Sequence, residues 1–135
     1  MYTIHKAAGV IIKDRKLLVA REYGKQIFVS PGGAIRNDES SIRSLLRELQ
    51  EEVGIIANSS DLEPLGNYSA MAANDPDKTV SMEVFRVNHW AGEIAPGKEI
   101  EEVAWVTSGN PQKIILGSIF EHDVIPDLKK KDLID

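Results

Sequence analysis

The first third of the chain consists of short apolar runs separated by turn-forming residues. Ala7–Ile12 is a run of small and β-branched residues, which is typical of a buried strand. Lys16–Arg21 is a second such run, and the polar pair Asp14–Arg15 between the two runs predicts a hairpin. Ile27–Ser30 is a brief extended segment that ends at the turn residues Pro31–Gly33. We therefore expect this region to be built from strands.

The segment Ser40–Val53 has the clearest helical pattern in the chain. Its apolar residues recur at the spacing that places them on one face of a helix: Ile42, Leu45, Leu46, Leu49 and Val53. Asp38, Ser40 and Ser41 are candidate caps for the helix start, because their side chains can accept a backbone hydrogen bond there. Gly54 follows the last apolar position, where a C-terminal glycine is favoured. This pattern predicts a helix that buries one face.

The second half of the chain contains further strand and helix patterns. Leu65–Ala70, Thr79–Trp90 and Val103–Thr107 are predicted strands, whereas Pro111–Phe120 and Asp123–Leu133 are predicted helices. Strands mixed with a few helices indicate the α+β class, with an αβα arrangement of layers. The 135 residues are enough for one domain with its own core, so we expect a single domain over residues 1–135.

Composition and charge narrow the possible functions. The chain has no cysteine, which excludes disulfides and thiolate metal sites within it. No run approaches the roughly 18 apolar residues that a membrane-spanning helix needs, and Met1–Ile12 lacks the pattern of a secretory signal. A net charge of −5, with the basic run Lys129–Lys131 set among acidic residues, argues against stable nucleic-acid binding. We expect a cytoplasmic protein that does not bind membranes and that is a monomer or homodimer.

Three glutamates give the predicted helix a second distinctive face. Glu48, Glu51 and Glu52 stand at i, i+3 and i+4, so they lie together on the helix surface. Carboxylates at this spacing repel each other unless a cation compensates, and Mg²⁺ prefers carboxylate oxygens. A solvated helix face is the alternative explanation. The preceding Gly32 and Gly33 favour a metal–phosphate site, because glycine lets the backbone approach a ligand closely.

The segment Gly33–Ile55 resembles the signature of the Nudix family. That signature reads G, five residues, E, seven residues, REU, one residue, EE, one residue, GU, where U is bulky and aliphatic. The chain matches every specified position: Gly33, Glu39, Arg47, Glu48, Leu49, Glu51, Glu52, Gly54 and Ile55. The resemblance covers most of Ala7–Val106 and is closest to mutator-type nucleotide pyrophosphohydrolases. It implies the Nudix αβα sandwich with a mixed sheet, and a Mg²⁺-dependent or Mn²⁺-dependent hydrolase that cleaves a pyrophosphate linkage.

The resemblance also implies roles for individual residues of the site. Glu51 and Glu52 would bind metal, and Glu48 would either bind metal or serve as the base that activates water. The carbonyl of Gly32 would be a further metal ligand. Glu99 would supply an extra ligand or the base. Glu99 could instead be an exposed loop residue without a role. Glu102 is the rival candidate for the same role.

Other residues would position the substrate. Arg47 and Glu39 would form a structural ion pair between the glycine-containing loop and the helix. Arg21 resembles a residue that contacts phosphate in related enzymes, with a plain surface position as the alternative. Aromatic rings stack on nucleobases. Candidate walls of a base pocket are therefore Phe28, Tyr23 and the Met71–Lys78 loop, in which Asn74 could contact a base edge; Phe28 could instead belong to the core.

Downstream positions bear on the choice of substrate. The proline that marks ADP-ribose enzymes would fall near Ala70, and the tyrosine that marks dinucleoside polyphosphate enzymes would fall near Ala72. The chain has neither there; Pro76 and Tyr68 are displaced. We therefore expect a (deoxy)nucleoside triphosphate, normal or oxidised, to be hydrolysed to a monophosphate and pyrophosphate. An ADP-ribose or other nucleotide-conjugate pyrophosphatase is the first alternative, and a non-catalytic nucleotide-binding Nudix module is the second.

Overall fold

A computed structural model of the protein describes residues 2–72 and 75–135. Its strands are β1 (Tyr2–Val10), β2 (Ile12–Lys13), β3 (Lys16–Glu22), β4 (Gly32–Ala34), β5 (Leu62–Ala72), β6 (Asp75–Val87) and β7 (Ile100–Val106). Its helices are α1 (Ser41–Val53), a short 3₁₀ helix (Ser59–Asp61), a π-helical turn (Phe120–Val124) and α2 (Ile125–Lys130). This mixture confirms the predicted α+β class.

The strands form two sheets. The larger sheet has the order β4-β1-β6-β5, with β1 and β6 parallel and the outer pairs antiparallel, so it is the mixed sheet that the resemblance implies. The smaller sheet, β2-β3-β7, is antiparallel and contains the predicted hairpin. Pairing of β1 with β4 sets Gly32 opposite Ala8 and Gly33 opposite Ala7, which places the glycine segment beside the start of the core.

Helix α1 follows from its caps and its apolar face. The Ser40 side chain accepts a hydrogen bond from the backbone N–H of Arg43 at 3.2 Å, which satisfies one of the free donors at the helix start. At the other end, Gly54 adopts a left-handed φ of 72°, a conformation that glycine tolerates without a steric penalty. Leu45 and Leu49 are fully buried. The predicted helix is confirmed, with Ser40 as its cap.

Alternation along the strands divides the core into two layers. Ala7 packs with Leu45 and Leu49 on the α1 side, whereas Ala8 and Val10 pack with the C-terminal helical residues on the other side. The α1-side cluster consists of Ala7, Ile11, Leu18, Leu45, Leu49, Val53, Ile55, Phe85 and Val87. Since helices cover both faces, the αβα sandwich is confirmed.

The predicted helix over Pro111–Phe120 is wrong. Asn110 and Lys113 adopt left-handed backbone conformations, with φ of 46° and 56°, which a right-handed helix cannot contain. The Asn110 side chain also closes a loop with the backbone of Ile114, donating to its carbonyl at 2.7 Å and accepting from its N–H at 3.0 Å. Leu116 then forms a parallel β-bridge with Phe28. In this part of the chain the helical residues run from 118 to 130.

The predicted Met71–Lys78 loop is also largely wrong. The residues Asp75–Lys78 belong to β6, which pairs with β5 as far as Ala72. Strand β1 adds a second partner to β6 from Lys78 onward, opposite Tyr2. Backbone pairing with β5, joined by β1 at Lys78, therefore overrides the turn-like composition of this segment. Asn74, which the sequence suggests as a base contact, lies outside the described residues.

Candidate active site

A cleft of about 900 Å³ lies between α1, the glycine segment β4 and the loop before β7. The residues assigned to metal binding and catalysis all line it: Gly32, Glu48, Glu51, Glu52 and Glu99. Glu48, Glu51 and Glu52 come from one face of α1, as their spacing requires. Glu99 comes from the segment before β7. The fold thus brings together acids that are about fifty positions apart in the chain.

The carboxylates are held at the floor of the cleft by short contacts. The Gly32 N–H donates a hydrogen bond to Glu52 Oε1 at 3.0 Å, which ties the glycine segment to α1. A Cβ at Gly33 would lie 3.0 Å from Glu48 Oε1, so a larger residue there would require this carboxylate to shift by a few tenths of an ångström. Burial, followed by a hydrogen bond with the Glu48 carboxyl, raises the pKa of Glu52 to about 9. Two acids are therefore packed where little water can screen them.

Arg47 organises the acidic face from one side. Its guanidinium contacts Glu39 at 2.7 Å, Glu48 at 2.8 Å and Glu51 at 3.3 Å. Its hydrogen bonds to Glu39 are the main cause that lowers the pKa of Glu39 to about 2. The predicted ion pair between Arg47 and Glu39 is confirmed. It links the loop before α1 to the helix that carries the carboxylates.

The Glu39–Arg47 pair gives an expected pH dependence. Because the folded-state pKa of Glu39 lies below its ordinary value of 4.5, the stabilisation is fully present above that pH and is lost as pH falls towards about 2. Glu39→Gln should therefore lower the melting temperature at pH 7, and the difference from wild type should shrink through this acid range. Thermal unfolding at pH 7, 4 and 3 measures it. A difference that stays constant with pH would show that the charge contributes nothing.

The donor set of the cleft suits a hard divalent cation. Among residues 2–72 and 75–135, no three carboxylate or imidazole side chains converge on one point. Arg47 holds Glu48 and Glu51, while the Gly32 N–H holds Glu52. The available donors are carboxylate and backbone oxygens, the ligands that Mg²⁺ and Mn²⁺ prefer. A cation that replaced Arg47 as the partner of these carboxylates would also relieve the repulsion between the buried pair.

Arg21 and Phe28 lie beside the cleft and are not among its lining residues. The Arg21 guanidinium pairs with Glu101 at 2.7 Å and Glu102 at 3.0 Å, and it lies 5.6 Å from the centre of the Phe28 ring. Phe28 is buried in the core. Tyr23 is exposed. The substrate-binding roles of Arg21 and Phe28 stay predictions. Glu102 is paired with Arg21, and Glu99 is the one of the two rival glutamates that lines the cleft.

The cleft also contains residues that the sequence does not single out. Lys6, Lys25 and Lys98 line it, which adds positive charge around the acidic floor. Ile27 and Val29 contribute apolar wall and are 50% and 41% exposed. Ile27 and Val29 stand on either side of the buried Phe28 in the sequence. In an extended segment this alternation places both side chains on the face opposite Phe28, so the sequence does contain a signal for this wall. The lysines come from three separate segments, so no local pattern marks them.

Comparison with known proteins identifies the family. The family model described as the NUDIX domain matches residues 3–127. The chain belongs to the Nudix family. The resemblance seen in the sequence is thereby confirmed, and the chain is a Nudix hydrolase.

Named relatives of this Nudix chain fall into more than one substrate group. The 8-oxo-dGTP diphosphatase of Haemophilus influenzae is 34% identical over 108 residues, covering 76% of this chain and 75% of the relative. The ADP-ribose pyrophosphatase of Methanocaldococcus jannaschii is 31% identical over 120 residues, covering 87% of this chain and 67% of the relative. Similarity to these relatives alone therefore leaves the substrate open.

A solved structure supports the same fold. The MutT NUDIX hydrolase from Burkholderia pseudomallei superposes with a TM-score of 0.73 at 17% identity, over 86% of this chain and 92% of that one. Within the described part of this chain, no helix is long and apolar enough to cross a membrane. The cytoplasmic location and the oligomeric state stay predictions.

Proposed function

We propose that this Nudix hydrolase cleaves nucleoside triphosphates, normal or oxidised, to a monophosphate and pyrophosphate in a metal-dependent reaction. The observation that carries the proposal is the acidic face of α1 at the floor of a cleft that lysines also line. This arrangement suits a polyphosphate bound through cations on one side and ammonium groups on the other. The H. influenzae relative, named for a nucleoside triphosphate derivative, supports the substrate class.

Mg²⁺ or Mn²⁺ would be held by Glu48, Glu51 and Glu52, with the Gly32 carbonyl as a further ligand. When bound, such cations neutralise phosphate charge and lower the pKa of a bound water. The hydrogen bond from the Gly32 N–H to Glu52 fixes one of these carboxylates, so the oxygens that would bind the metal are already partly ordered.

The chain's own residues account for positioning and proton transfer. Lys6, Lys25 and Lys98 would contact phosphate oxygens, since an ammonium group supplies donors and a positive charge. Among residues 2–72 and 75–135, the Glu99 carboxylate has no ion-pair partner, whereas Arg47 holds Glu48. We therefore assign Glu99 as the general base. Its carboxylate takes a proton from the water that attacks a phosphorus of the α–β linkage. A new P–O bond to the water oxygen forms as the bridging P–O bond breaks, and the products are the monophosphate and pyrophosphate.

ADP-ribose hydrolysis is the second candidate, and the M. jannaschii relative favours it. Both substrates present a diphosphate to the same carboxylates, so the geometry of the acidic floor does not separate them. The absence of a proline at Ala70 argues for the triphosphate. A non-catalytic binding module is disfavoured, because every glutamate of the Nudix signature is retained.

A substrate panel tests the proposal directly. Purified protein is assayed with Mg²⁺ on normal and 8-oxidised nucleoside triphosphates, ADP-ribose and dinucleoside polyphosphates, and the products are resolved by chromatography. The expected result is monophosphate plus pyrophosphate, with the highest kcat/KM on a triphosphate and no activity in excess chelator. Release of ribose 5-phosphate and AMP from ADP-ribose at a far higher kcat/KM would overturn the substrate class and leave the metal-site assignment intact.

A further inference from the structure

The segment that leads into β7 runs along the C-terminal end of α1. The last carbonyls of a helix have no partner within the helix and need donors from elsewhere. The Ala95 N–H donates to the Val53 carbonyl at 3.1 Å, and the Gly97 N–H donates to the Glu52 carbonyl at 2.7 Å. We call residues 93–99 the capping loop, because they complete the end of the helix that carries the cleft carboxylates.

Gly97 lies directly against the backbone of α1. A Cβ added at Gly97 would overlap the Glu51 carbonyl oxygen and would lie 2.9 Å from the Glu52 carbonyl oxygen. Both obstacles are backbone atoms of a helix, so no side-chain rotation can make room for the added carbon. Glycine permits this close approach because it has no Cβ. Any larger residue at position 97 must therefore separate the capping loop from the end of α1.

Glu99 lies two residues beyond this contact and is held from its other side as well. Its carbonyl accepts a hydrogen bond from the Tyr23 N–H at 3.2 Å. The next residue, Ile100, is buried, and its N–H donates to the Gly97 carbonyl at 3.1 Å, which closes a tight turn around Glu99. Such a turn has little slack, since consecutive Cα atoms are about 3.8 Å apart. A displacement of Gly97 therefore reaches Glu99.

We propose that Gly97 is a positioning residue for the reaction: its contact with the end of α1 sets Glu99 at the right distance from Glu51 and Glu52. The inference rests on the proposed function, in which Glu99 is the general base. A general base acts only within hydrogen-bond reach of the proton that it takes. Gly97 joins the two parts of the site, because its N–H binds the backbone of a residue that carries one of the α1 carboxylates.

Gly97→Ala should lower kcat on a nucleoside triphosphate with Mg²⁺ by about 10²-fold, the loss typical of a misplacement of about 1 Å. The dissociation constant of Mn²⁺, measured by calorimetric titration without substrate, should stay close to that of wild type, because α1 itself carries the metal-binding carboxylates. The matched control is Gly109→Ala. A Cβ at Gly109 would meet no atom within 4 Å, so this variant should keep the wild-type kcat and Mn²⁺ affinity.

A double-mutant cycle with Glu99→Gln separates positioning from a general loss of structure. Glu99→Gln alone should lower kcat by about 10²–10⁴-fold, the range for a general base. In that background Gly97→Ala should change kcat by no more than roughly twofold, because no base is left to misplace. A full additional loss would overturn the inference. Wild-type kcat in Gly97→Ala would also overturn it, as would a fall in Mn²⁺ affinity that matches the fall in kcat.

Pro96→Gly is the second variant and decides the question if Gly97→Ala does not fold. It removes no backbone donor, and it frees the backbone beside Gly97, because glycine is far less restricted than proline. Its kcat should fall a few-fold while its Mn²⁺ affinity is kept; an unchanged kcat would overturn the inference. If wild type hydrolyses no triphosphate, the proposed substrate fails, and the cycle is run on the substrate that the panel identifies. Wild-type kcat in Glu99→Gln would overturn the base assignment, whereas additive losses would overturn only the role of Gly97.

Discussion

Glu52→Gln is expected to lower kcat on the preferred substrate by about 10²–10³-fold, the loss typical of removing one group that stabilises transition-state charge. Glutamine keeps the shape of the side chain and an oxygen that accepts the Gly32 N–H, but it loses the negative charge that would bind a cation. Since burial and Glu48 already disfavour that charge in the absence of a cation, the variant should remain folded. Steady-state kinetics with Mg²⁺, together with a melting curve, measure both effects.

The matched control is Glu63→Gln. Glu63 is an exposed residue of β5, and its carboxylate accepts a hydrogen bond from the side-chain amide of Asn88. It should keep wild-type kcat. Full activity of Glu52→Gln at low Mg²⁺ would contradict the assignment of this residue to the metal site. A variant that fails to fold would show instead that Glu52 is needed for the structure.

Leu45→Ala is expected to lower the free energy of unfolding by roughly 2–5 kcal/mol, the cost of deleting a fully buried leucine side chain. Leu45 has no exposed surface and packs in the α1-side cluster. A Cβ added at Gly9 would lie 3.4 Å from Leu45 Cδ1, which shows how closely β1 and α1 approach each other. The cavity therefore has little chance to collapse. Denaturant unfolding followed by circular dichroism gives the value.

Leu46→Ala tests the same change on the same helix. Leu46 is only partly buried, so this substitution should lower the free energy of unfolding clearly less than Leu45→Ala does. Equal losses at the two positions would show that the α1-side core is not arranged as described. Because Leu45 does not line the cleft, its variant should retain kcat/KM at temperatures where it is folded.

Helix α1 shows how much of this protein its sequence determines. The apolar spacing that ends at Val53 and the caps Ser40 and Gly54 specify a helix and its buried face. The same few turns specify that Glu48 and Glu52 share another face, because helix geometry fixes both sets together. Five of the nine specified positions of the Nudix signature, Arg47, Glu48, Leu49, Glu51 and Glu52, lie in this helix too. Local spacing is enough here, since every relevant contact is between residues within one or two turns.

Tertiary structure decided what depends on residues far apart in the chain. Arg21 pairs with Glu101 and Glu102 because β3 and β7 are neighbours, a pairing that no local pattern encodes. The turn-like composition after Ala72 became part of β6, because backbone hydrogen bonds to neighbouring strands outweigh weak local preferences.

The same reason applies to the cleft. Lys6, Lys25 and Lys98 are ordinary surface lysines in the sequence, and only the fold sets them around the acidic floor. Ser30 precedes a proline and carries no motif, yet packing leaves its hydroxyl buried without a partner among residues 2–72 and 75–135. The sequence by itself determined the helix, its carboxylates and the family. Only long-range packing decided which other side chains share the site, because their proximity comes from strand order and not from spacing along the chain.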